Sequence, residues 1–67
     1  MEKFDLSKDE IEILNLYSKG NRISSISEKL NISSSNMDII IKSILDKLKA
    51  PTLVIAVIIA IINDLLD

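Results

Sequence analysis

At 67 residues the chain has room for one small domain, spanning 1–67. A domain of this size buries only about 60% of its unfolded surface. With neither cysteine nor histidine it has no disulfide and none of the common zinc sites, which leaves oligomerisation as the means of adding core. The net charge of −2 divides into −3 over residues 1–12, +3 over 13–50 and −2 over 51–67, a mildly basic middle that permits a nucleic-acid partner without demanding one.

The first helix signal is Ser7-Lys8-Asp9-Glu10, the pattern of a capping box. Ile13, Leu14, Leu16 and Tyr17 follow at helical spacing, and Gly20 is placed to end the helix in a left-handed turn, so the first helix is expected over 8–19. Ile23, Ile26 and Leu30 form one narrow apolar stripe and predict a short second helix over 22–30. Asn31-Ile32 makes a tight connection, with Asn31 suited to a left-handed backbone. Ser33 is the expected cap of a third helix over 34–48, whose buried face is Met37, Ile41, Ile44, Leu45 and Leu48. Pro51 breaks the chain and Thr52 caps a fourth helix expected over 53–66. The apolar run Leu53–Ile62 is half of the roughly 20 residues a spanning helix needs, so no membrane partner is expected. The charged residues 1–12 do not form a secretory signal, and the lack of cysteine fits a cytoplasmic protein.

The all-α pattern, with two short helices joined by a tight turn, fits a helix-turn-helix unit as well as a plain helical bundle. Specific residues add to this. Leu6-Ser7 with Glu10, Glu12, Ile13, Leu14 and Leu16, then Gly20, then Ile26, Leu30, Ile32 and Ser33, then Met37, Ile41, Ile44, Leu45, Lys47 and Leu48, then Ala56 and Val57, keep the order and spacing of a known pattern. In these the chain resembles the LuxR/GerE-type helix-turn-helix domain of bacterial transcription regulators. The resemblance implies a four-helix fold, a third helix that enters DNA, and a fourth helix that commonly dimerises. The chain departs from the pattern where the family typically touches DNA. At the start of helix 2, Ile23, Ser24 and Ser25 replace Asn-Lys-Glu. In helix 3, Asn36, Asp38 and Ile40 stand where threonine, lysine and histidine are usual.

Two classes of partner follow. For double-stranded DNA the contact candidates are Arg22, Ser34, Ser35, Asn36 and Lys42, because phosphates are held by basic and polar side chains and by helix starts. For protein the candidates are Ile39 and Ile40 on the outer side of helix 3, and Leu53, Val54, Ile55, Ile58, Ile59 and Ile62 on helix 4. Helix 4 is apolar on nearly every side until Asn63, which points to a homodimer packed through it. The leading expectation is a small homodimeric transcriptional regulator. The alternative is a module of the same fold that lacks competent DNA contacts and pairs with another transcription regulator. No enzyme, metal or cofactor is expected, since histidine, cysteine and a glycine-rich phosphate loop are missing.

Overall fold

The computed structural model describes residues 4–66, in which every regular element is a helix. These are α1 (Lys8–Ser18), α2 (Ile23–Leu30), α3 (Ser34–Leu48) and α4 (Leu53–Ile62). Glu2 and Lys3 of the acidic opening stretch, and Asp67 of the acidic end, lie outside the described residues.

Side chains start three of the helices. The Ser7 hydroxyl accepts from the Glu10 N–H at 3.2 Å, and the Glu10 carboxylate accepts from the Ser7 N–H at 2.7 Å, closing the capping box. Ser33 accepts from the Asn36 amide and Thr52 from the Ile55 amide, each at 3.2 Å. Every such bond satisfies an amide that helix geometry leaves without an acceptor. α2 starts without this help: Arg22 occupies the cap position and its side chain makes no capping bond.

All four helices end alike. One or two residues past each, the backbone turns left-handed, at Gly20 (φ 94), Asn31 (φ 57), Lys49 (φ 53) and Asp64 (φ 58). The next amide then reaches back into the last turn, Asn21 to Leu16 O (3.2 Å), Ile32 to Ser27 O (2.9 Å), Ala50 to Leu45 O (2.9 Å) and Leu65 to Ala60 O (2.8 Å). This is the Schellman closure. Glycine and asparagine adopt it readily, whereas Lys49 meets a steric cost of roughly 1–2 kcal/mol. Burial of Ala50 behind it, and hydrogen bonds from the turn, offset that cost. The closure at Asp64 is why α4 stops at Ile62 and does not run on to 66. Leu65 and Leu66 extend the apolar run in sequence, but they fold back and pack against the core.

α1 and α3 each pack against every other helix, while α2 and α4 do not meet. Ile13, Leu14, Ile26, Met37 and Ile44 are sealed from solvent at the centre. Ala56 and Ala60 of α4 are also fully buried, and side chains this small let α4 lie close to α1 and α3. Ile23, Leu30, Ile32, Ile41 and Leu45 are half-buried around this core. The α2–turn–α3 unit is thus held from behind by α1, with the outer side of α3 left to solvent.

Candidate nucleic-acid interface

The start of α3 is built to present itself. Ser34, Ser35 and Asn36 are exposed, while Met37 directly behind them is 1% exposed and anchors the turn. Ser33 takes the Asn36 amide, and among the described residues the amides of Ser34 and Ser35 have no acceptor. Helix starts of this kind carry partial positive charge and donate to anions.

Following α3 outward at steps of three and four, Ser35, Asp38, Ile39, Lys42 and Asp46 form one exposed stripe. Lys42 therefore lies on the same side as Ser35, with an aspartate four residues to either side. Two open hollows border this stripe. One is lined by Ile39, Lys42, Ser43 and Asp46, the other by Lys42, Leu45, Asp46, Lys49, Ala50 and Pro51. Both are grooves rather than the enclosed apolar cavities that hold cofactors. Arg22 is exposed at the start of α2, on a different element from the α3 candidates. Lys29 is engaged: its ammonium donates to Asn21 Oδ1 at 2.8 Å, and Asn21 in turn donates to Leu16 O at 2.8 Å, tying α2 to the end of α1.

The apolar candidates separate into two groups. Ile39 is 65% exposed, but Ile40 is half-buried and packs against the core. Leu53 and Ile59 likewise pack against the core. Val54, Ile55, Ile58 and Ile62 are exposed, and Ile61, which the sequence reading left out of the interface set, joins them at 59%. Their spacing (54, 58, 61 and 55, 62) puts all five on one side of α4, opposite the buried Ala56, Val57 and Ala60. No helix among the described residues is long and apolar enough to cross a membrane.

One partly buried contact ties α3 to α1. Glu10 is 4% exposed, and its Oε1 accepts from the Lys47 ammonium at 2.8 Å, the only ion pair among the described residues. The pair links the start of α1 to the last turn of α3 across 37 positions, a separation that no local sequence signal spans. Burial pushes the Glu10 pKa up, but hydrogen bonds from Lys47, the Ser7 amide and Ser43, with the charge of Lys47, outweigh it and hold the carboxyl below its ordinary 4.5. The folded pKa is therefore below the unfolded one. The contribution is complete above about pH 4.5 and is lost as the pH falls through the folded value. Glu10→Gln is expected to lower the urea midpoint at pH 7 and to narrow its gap from the parent as the pH is taken below 4. An unchanged gap between pH 7 and pH 3 would show that the pair does not act as the geometry indicates.

A sequence model of the GerE domain, described as bacterial regulatory proteins of the luxR family, matches residues 5–60. No curated protein and no solved structure matches the chain.

Proposed function

The chain belongs to the luxR family of bacterial regulatory proteins, whose GerE domains are DNA-binding regulatory units and not enzymes, and from that premise we propose that it is a small cytoplasmic transcriptional regulator that binds double-stranded DNA as a homodimer. The observation that carries the reading is the exposed first turn of α3, where Ser34, Ser35 and Asn36 project from a helix anchored by Met37 and Ile44. Such a turn fits the major groove in helix-turn-helix docking, with its hydroxyls and free amides directed to phosphates and base edges. Lys42, further along the same side, and Arg22, at the start of α2, supply positive charge for the flanking backbone. The homodimer is supported by the exposed apolar side of α4, which a lone domain leaves in water.

A second reading keeps the fold and exchanges the partner. Asp38, Asp46 and the exposed Ile39 share the outer stripe of α3 with a single lysine, a composition that also suits a module pairing with another regulator. Binding to random duplex DNA at low and moderate salt separates the two. The DNA reading expects binding that weakens with salt, its log–log slope near −0.9 per phosphate contact. It also expects Lys42→Ala and Arg22→Ala each to weaken binding and flatten that slope by about one contact. No binding even at low salt would remove the DNA reading and favour the pairing module.

A further inference from the structure

Asp38 has no structural task that accounts for it. It lies beyond the first turn of α3, where no acidic residue is found, and a helix dipole rewards a carboxylate only within that turn. Lys42 is four residues on, yet Asp38 forms no ion pair or hydrogen bond among the described residues. Its side chain stands free on the stripe that also carries Ser35, Ile39 and Lys42.

A carboxylate on that stripe is selective about what it meets. It accepts hydrogen bonds and cannot donate them, so phosphates repel it. The guanine N7 and O6 and the thymine O4 are acceptors as well and offer it nothing. Only exocyclic amino groups in the major groove donate, and adenine sets an acceptor (N7) beside its own. Cytosine N4 has an acceptor on one side only, the O6 of its paired guanine, whereas adenine N6 lies between N7 and thymine O4, so cytosine is the better match. Ile39, next in the chain and 65% exposed, has neither donor nor acceptor. The apolar feature of the groove floor is the thymine methyl.

We infer that Asp38 and Ile39 together make α3 a selective reader of a cytosine amino group beside a thymine methyl, with Asp38 discriminating against sequences that lack the donor. The inference rests on the proposal that the chain binds duplex DNA through α3, and names the base edges that site takes. Asp38 and Asp46 on either side of Lys42 weaken sequence-blind attraction to phosphate, so selectivity comes from penalising wrong sites as much as from rewarding right ones.

The test is selection of duplexes from a randomised pool by the full chain and by Asp38→Asn, followed by affinities for the recovered site. The parent is expected to recover sites with a fixed cytosine next to a thymine, and to lose about tenfold or more when that cytosine is replaced. Asp38→Asn is expected to move the preference at that position to adenine, whose N6 and N7 pair with an amide, and to bind random duplex several-fold more tightly. Replacing the thymine by uracil removes the methyl alone. It is expected to weaken the parent a few-fold and to leave Ile39→Ala unaffected. DNA bound with the same base preference by the parent and by Asp38→Asn overturns this inference alone. No duplex recovered by either chain overturns the DNA-binding proposal, and the inference with it.

Discussion

Ile58→Asp is expected to convert a dimer into a folded monomer. Ile58 sits in the middle of the exposed side of α4, flanked by Val54, Ile55, Ile61 and Ile62, and is 45% exposed in the isolated chain. It contributes little to the core, which takes Ala56, Val57 and Ala60 from the opposite side of the helix. In a two-fold dimer a residue near the axis meets its own copy, so one substitution places two carboxylates against each other in an apolar contact. Each must keep its water or take up a proton, at several kcal/mol per ion. Dissociation should therefore strengthen by roughly 100-fold or more, since each 1.4 kcal/mol is a factor of ten. Sedimentation should give the monomer mass while far-UV circular dichroism retains the helical signal. A folded particle of unchanged mass places the interface elsewhere. Val57→Asp is the contrast: with Val57 9% exposed, the charge enters the core and the chain should unfold.

The caps at Ser7, Ser33 and Thr52 are legible in the sequence because each acts within three residues of itself, and the same holds for the left-handed Gly20 and Asn31. The left-handed turns at Lys49 and Asp64 are not legible. Lysine does not advertise that backbone, and Asp64 tolerates it but sits inside the expected helix 4; tertiary packing of Ala50, Leu65 and Leu66 goes with both turns. That is also why α4 is shorter than its apolar run suggests. On α3 the spacing places Ile41 inward and Ile39 outward, as the structure has them, but it puts Ile40 outside, where the structure half-buries it. Ile40 lies at the border of the buried side, and tertiary packing brings it to the core with Ile41. The Glu10–Lys47 pair lies beyond any local pattern, since Glu10 already has a complete local explanation as a capping-box residue.

Ile44→Ala is expected to weaken the fold severely without introducing a charge. Ile44 is fully buried and lies on the inner side of α3 with Met37 and Leu48, where α3 meets α1 and α4. Removing such a side chain leaves a cavity and costs about 2–5 kcal/mol. A domain of this length holds a total of only roughly 3–10 kcal/mol. The melting temperature should fall by about 10 °C or more, and at low concentration much of the chain should be unfolded. If the proposed DNA and dimer partner bind the folded form, excess duplex DNA or high protein concentration should restore helicity to Ile44→Ala by mass action. Asp38→Asn, on the outer side of the same helix, should leave the melting temperature within a degree or two while changing which duplex is bound. If Ile44→Ala melts with the parent, the inner side of α3 does not hold the domain together. If its helicity returns with added DNA, the two sides of α3 are separable: the inner residues decide whether the helix is populated, and the outer ones decide what it touches.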